Sequence, residues 1–126
     1  VADTFLLSGT WSSAPTSTSA SGEVSFGSNV SERMTLEDKF FTSVTLSSDS
    51  ATAVSLGGLA SAHVIVVKSD AKVKVRLTSA DGTTQAVAVD TFMVVMSATV
   101  PYTALDLTRV AGQETRVQVF FGEQAS

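Results

Sequence analysis

The sequence predicts an all-β protein: an antiparallel β-sandwich or jelly roll of about seven or eight strands, preceded by an extended Ser/Thr-rich N-terminal arm. Three observations carry that expectation. From Val54 to Phe121, short apolar runs alternate with polar residues at a period of two. Gly and Asp-Gly turn signals cut these runs at intervals of roughly 8–12 residues. No stretch sustains the 3.6-residue period of a helix, and none is long enough for the crossover that parallel strands require.

The chain divides into an arm over residues 1–31 and a single sandwich domain over 32–126. Residues 8–31 are rich in Ser, Thr, Ala and Gly, with Pro15 in the middle, and are too poor in apolar side chains to offset the entropy of ordering unaided. Two readings stand for them. One is an irregular surface segment. The other is an extended arm that orders against a partner subunit, with Trp11 as its anchor. Val24 and Phe26 suit a brief strand between Gly22 and Gly27.

Thr35-Leu36-Glu37-Asp38 has the form of a capping box and suits a single helical turn, although nothing after it continues a helix. Past Phe40-Phe41, Val44 and Leu46 alternate with hydroxyl residues as a strand, and Ser48-Asp49-Ser50 marks a turn. Val54-Ser55-Leu56 is a short strand ended by Gly57-Gly58. Residues 62–68 hold Val64, Ile65, Val66 and Val67 on both parities, which predicts a strand covered on both faces. Lys72–Thr78 alternates most cleanly: Val73, Val75 and Leu77 point inward, and Lys72, Lys74 and Arg76 point outward. Asp81-Gly82 is a hairpin turn, because it tolerates the positive φ angles of a tight connection. Gln85–Val89 returns, and residues 91–97 form a second near-continuous apolar strand through Phe92-Met93-Val94-Val95-Met96. After Val100-Pro101, the strand over 103–108 turns Leu105 and Leu107 inward. Ala111-Gly112-Gln113 reverses the chain, and the strand over 115–121 closes the domain with Val117, Val119 and Phe121 inward.

Composition narrows the function. A net charge of −4 argues against nucleic acid as the main partner, since phosphate binding is driven by cations. Without cysteine there are no disulfides and no thiolate metal sites. The first residues, Val1 to Leu7, lack the basic and long apolar regions of a signal peptide, and no apolar run approaches the roughly 20 residues of a membrane helix. The expectation is a soluble protein made in the cytosol, with no membrane or nucleic-acid partner.

No catalytic, cofactor-binding or metal-binding residues are assigned, and the chain is expected not to be an enzyme. His63 is the only histidine and has no accompanying ligand set, so a structural or exposed histidine is expected. The twelve acidic residues invite a glycosidase-type carboxylate pair, yet Asp49, Asp70, Asp81 and Asp90 fall at turns, where Asp is favoured for local hydrogen bonds. No Ser lies in a Gly-x-Ser-x-Gly context. The candidate partner contacts are Trp11 and the basic strip Lys72, Lys74 and Arg76. With Lys68, that strip holds four of the eight basic residues. It is either a solvated face that discourages edge pairing, or a surface for an acidic partner or anionic glycan. The Val-rich strands with Met93 and Met96 read most simply as core; an apolar sheet face in excess of what a monomer covers would mean a subunit interface, in a homo-oligomer (a trimer favoured) or in docking to a larger assembly.

The succession Val54-Ser-Leu-Gly-Gly-Leu59, Ala62-His-Val-Ile-Val-Val-Lys-Ser-Asp70, Val73-Lys-Val-Arg-Leu77 and the Asp81-Gly82 turn, followed by Phe92-Met-Val-Val-Met96, Thr103-Ala-Leu-Asp-Leu-Thr108 and Val117-Gln-Val-Phe120, resembles small β-sandwich virion proteins of tailed bacteriophages. These are head decoration (cement) proteins or tail-associated accessories. The resemblance spans residues 54–121 and rests on strands and turns, with no contact motif to carry over. It implies a structural protein of the virion that binds the major capsid protein or other virion proteins and stabilises the head lattice. The alternative it leaves open is a tail- or fibre-associated, host-recognition (glycan-binding) module.

Overall fold

In a computed structural model, residues 3–9, 12–13, 24–25 and 30–125 are described. They form eleven strands and no helix: β1 (Asp3–Gly9), β2 (Ser12–Ser13), β3 (Val24–Ser25), β4 (Val30–Leu46), β5 (Thr52–Val54), β6 (Val64–Ser69), β7 (Val73–Ser79), β8 (Thr84–Val89), β9 (Phe92–Met96), β10 (Tyr102–Arg109) and β11 (Thr115–Gln124). All pairings are antiparallel. A five-stranded sheet has the order β1-β4-β11-β6-β9, a four-stranded sheet has the order β5-β10-β7-β8, and β2 pairs with β3 alone.

The two larger sheets pack through the inward parity of their strands. Val73, Val75 and Leu77 of β7, Leu105 and Leu107 of β10, and Val117, Val119 and Phe121 of β11 are each at most 1% exposed, and all belong to one cluster with Leu46, Ile65 and Val67. Alternation at a period of two gives each strand one face for this layer and one face for its surroundings. The expected division of β7 holds, since Lys72, Lys74 and Arg76 are all exposed.

A second, smaller cluster lies on the other face of the five-stranded sheet. Met34, Leu36 and Val64 are buried there, packed by Phe5, Val66, Met96 and Phe120, with the Phe5 and Phe120 rings stacked at 6.0 Å. This explains the two-parity apolar run of β6: Ile65 and Val67 face the other sheet, and Val64 faces the second cluster. Gly122 lies opposite Val64, and Leu36 lies over it so closely that an added Cβ would come within 2.9 Å of a Leu36 methyl.

Several sequence expectations are corrected. The capping-box segment from Thr35 to Asp38 is not a helical turn: it lies within the 17-residue strand β4. Its carboxylates do not cap a helix, because the backbone here pairs with β11 on one side and, up to Leu36, with β1 on the other. A register shift puts Glu123 opposite Asp38 but Gln124 opposite Leu36. Met34 and Leu36 therefore face the second cluster, while Phe40, Val44 and Leu46 face the main core. The strand expected at 54–56 is Thr52–Val54, and Leu56 falls in the turn that follows. Residues 3–9, placed by sequence in the arm, are a strand of the five-stranded sheet. Val24 joins the small β2–β3 pair, whereas Phe26 lies outside the described residues, as does most of the segment 8–31.

Candidate functional site

His63, the only histidine, is a structural tie. Its Nδ1 accepts a hydrogen bond from Gln124 N–H at 3.0 Å, its own N–H donates to Gly122 O at 2.7 Å, and its carbonyl accepts from Ser97 N–H at 2.7 Å. The acidic turn residues are likewise engaged locally. Asp49 accepts from Gly112 N–H at 3.0 Å and from Arg109 Nε at 2.9 Å, joining the β4–β5 turn to the β10–β11 turn. The Gly112 amide first, and then the Arg109 guanidinium, hold its carboxyl below the ordinary range. Asp81 is lowered chiefly by the amide of Thr83, the Asx-turn bond that shapes the β7–β8 hairpin. Among the described residues, no three His, Cys, Asp or Glu side chains group as metal ligands would. No helix among the described residues is long and apolar enough to cross a membrane.

The expected contact residues divide. Trp11 lies outside the described residues. Lys72 and Lys74 stand on the outer face of the four-stranded sheet, beside a shallow groove of about 210 Å³ that Val87 and Val110 help to line. Arg76 lies outside this groove and pairs across the strands with Asp106 on β10 and Ala86 on β8. Beyond β7, β8 is the sheet edge. Residues Thr84 to Ala88 are all exposed, and Val87 is 41% exposed although its parity turns it toward the inter-sheet layer. β8 carries no charged residue and no proline.

The second site is on the opposite side of the sandwich, on the outer face of the five-stranded sheet. Register sets one row across four strands as Ser43, Gln118, Lys68 and Phe92, and the neighbouring row as Phe41, Phe120, Val66 and Val94. A groove of about 420 Å³ opens beside the first row, lined by Ser43, Thr45, Lys68, Asp70, Arg116 and Gln118 among others. Asp70 is held at its wall by the backbone of Arg116, accepting from its N–H at 2.9 Å and donating to its carbonyl at 3.2 Å. The Phe41 ring is 62% exposed and that of Phe92 is 53% exposed.

Of this site, the sequence singled out only Lys68 and Asp70, the first as part of a basic cluster and the second as a turn residue. Lys68 is turned away from Lys72, Lys74 and Arg76, because β6 and β7 belong to different sheets. The outward parity of Phe41 and Phe92 was the available signal: large rings on the polar-facing register of strands whose other parity is core.

Comparison of the chain with protein-family models, with curated proteins and with solved structures finds no match in any of the three.

Proposed function

We propose that this chain is a non-enzymatic assembly protein that joins neighbouring subunits through the β8 edge and the adjoining outer face of the four-stranded sheet. The observation that carries the proposal is the unguarded β8 edge, where Thr84 to Ala88 are exposed without a break. Exposed edge strands present free N–H and C=O groups that pair with other chains, and proteins ordinarily protect them with charge, proline or a bulge. β8 has none of the first two, and its Val87, although turned by parity toward the inter-sheet layer, is 41% exposed at the edge. Strand addition at such an edge supplies main-chain hydrogen bonds, and the neighbouring apolar side chains supply buried area.

The strand order supports a jelly-roll reading. Counting β4 to β11 as one to eight, the sheets read 1-8-3-6 and 2-7-4-5, the arrangement of paired Greek keys. Jelly rolls serve as viral capsid and lectin domains, so the fold accommodates a virion role without selecting it. The virion itself enters through the resemblance of residues 54–121 to phage decoration proteins. In this reading the protein is a capsid decoration (cement) protein that self-associates and binds the head lattice, with Lys72 and Lys74 at the rim of the contact and the segment carrying Trp11 as the reaching arm.

The test is the solution mass of the full chain by light scattering, compared with Val87→Lys. The proposal expects a defined multiple of 13.0 kDa. It also expects V87K, a folded protein with a charge on its edge, to shift toward the monomer. A monomer at all concentrations, or an oligomer that V87K leaves unchanged, refutes assembly through this edge.

A further inference from the structure

We infer that the outer face of the five-stranded sheet binds an acidic oligosaccharide in the groove lined by Lys68, Gln118 and Arg116. The site lies on the opposite sheet from the basic strip that the sequence brings forward.

Charge comes first. Lys68 pairs with Gln118, and Arg116 lies two residues before Gln118 on the same face. The two cations are therefore diagonal neighbours, with backbones about 7–8 Å apart. Among the described residues, neither forms a salt bridge. The nearby Asp70 accepts the main-chain N–H of Arg116, which leaves the guanidinium free to address a ligand. In a chain of net charge −4, the groove sets two cations without salt-bridge partners against the single Asp70 carboxylate. A carboxylate is the group that satisfies these cations, because charge-assisted hydrogen bonds from Lys and Arg are the strongest available at such a surface.

The rest of the lining is of another kind. Ser43 and Thr45 offer hydroxyls, Gln118 offers an amide and Asp70 a carboxylate, a mixed set of donors and acceptors suited to vicinal hydroxyl groups. The groove volume of about 420 Å³ lies within the ~300–1,000 Å³ typical of small-ligand sites. Outside the groove lining, exposed Phe92 pairs with Lys68 and exposed Phe41 lies two residues before Ser43, so a ligand longer than the groove meets apolar rings on the same face. They sit on β4 and β9, three strand spacings apart, or about 14 Å, which fits a chain of sugars and not a single ring. An acidic peptide would use the cations but leaves the hydroxyl-matching set without a role. An acidic sugar chain uses all three features.

The experiment titrates the full chain with tetragalacturonate, with its neutral methyl ester and with a tetraglutamate peptide, by calorimetry and by NMR. Tetragalacturonate is expected to bind. Lys68→Gln or Arg116→Gln should each weaken it about tenfold or more, the loss of one charge-assisted hydrogen bond. The methyl ester should bind correspondingly less well, Phe92→Ala should weaken both sugars, and Lys72→Gln with Lys74→Gln should change nothing. All these side chains are exposed, so the variants should keep the unfolding temperature of the parent. Absence of binding up to millimolar tetragalacturonate overturns the inference. So does tetraglutamate binding as tightly as the sugar, which would make the partner an acidic protein segment. Binding that survives K68Q and R116Q, or that is lost with K72Q and K74Q, overturns it as well.

Discussion

Gly57→Ala should destabilise this protein far more than alanine at either of two other glycines with the same backbone demand. Gly57 has φ +69°, Gly82 φ +88° and Gly112 φ +78°. An L-residue in this region costs about 1–2 kcal/mol, and alanine recovers roughly 0.4–1 kcal/mol by restricting the unfolded chain. For Gly82 and Gly112 that is the whole effect, since a Cβ there meets nothing within 4 Å. The net loss is then about 0.5–1 kcal/mol. At Gly57 the added Cβ would lie 2.6 Å from two ring atoms of Phe40. Phe40 packs against the main core, so its ring cannot swing away without disturbing that packing. Overpacking of this kind costs typically 1–3 kcal/mol more, for a total of about 2–4 kcal/mol. Urea unfolding of G57A, G82A and G112A reads the difference directly as midpoints at unchanged m-value. If G57A falls within about 0.5 kcal/mol of the other two, the turn does not press on Phe40 as described.

Three further outcomes follow from the same geometry. Thr91 is a β-branched residue at φ +94°, in the link from β8 to β9, so Thr91→Gly should stabilise by on the order of 1 kcal/mol in the same urea assay. Gly122→Ala would bring a Cβ to 2.9 Å and 3.0 Å from the Leu36 methyls, and because those ends can shift, the expected loss is only about 1 kcal/mol, read from the unfolding midpoint. Asp49 and Asp81 have folded pKa values depressed below the unfolded value, so their contribution is present above about pH 4 and is lost as pH falls through the folded pKa. Thermal melts should accordingly show a declining unfolding temperature below about pH 4, with a shallower decline in Asp49→Asn and Asp81→Asn.

What the sequence discloses depends on how many environments a strand meets. β7 has two, core on one side and solvent on the other, and its alternation is plain. β6 has two apolar environments, and its uninterrupted Val64-Ile65-Val66-Val67 run reports that correctly without saying what covers the outer face. β4 defeats the pattern. Met34, Leu36, Phe40, Val44 and Leu46 all share even parity, yet the register shift near Asp38 sends the first two to one face and the rest to the other. Period-two reasoning has no means to detect such a shift, and the carboxylates of Glu37 and Asp38 imitate a helix cap. The groove is less legible still. Ser43, Lys68 and Arg116 come from three strands far apart in sequence, and only the pairing of β11 with both β4 and β6 makes them neighbours. The basic strip on β7 was visible because its residues alternate within one strand. Visibility in sequence and concavity in structure favour opposite sheets here.

The proposed role as a subunit of a capsid assembly is tested most directly by the copy number of the protein in purified virions. Quantitative mass spectrometry against the major capsid protein should find it in a fixed, lattice-scale ratio, retained after washing and lowered by Val87→Lys. Absence from the particles, or a handful of copies per virion, would contradict the role in the head lattice.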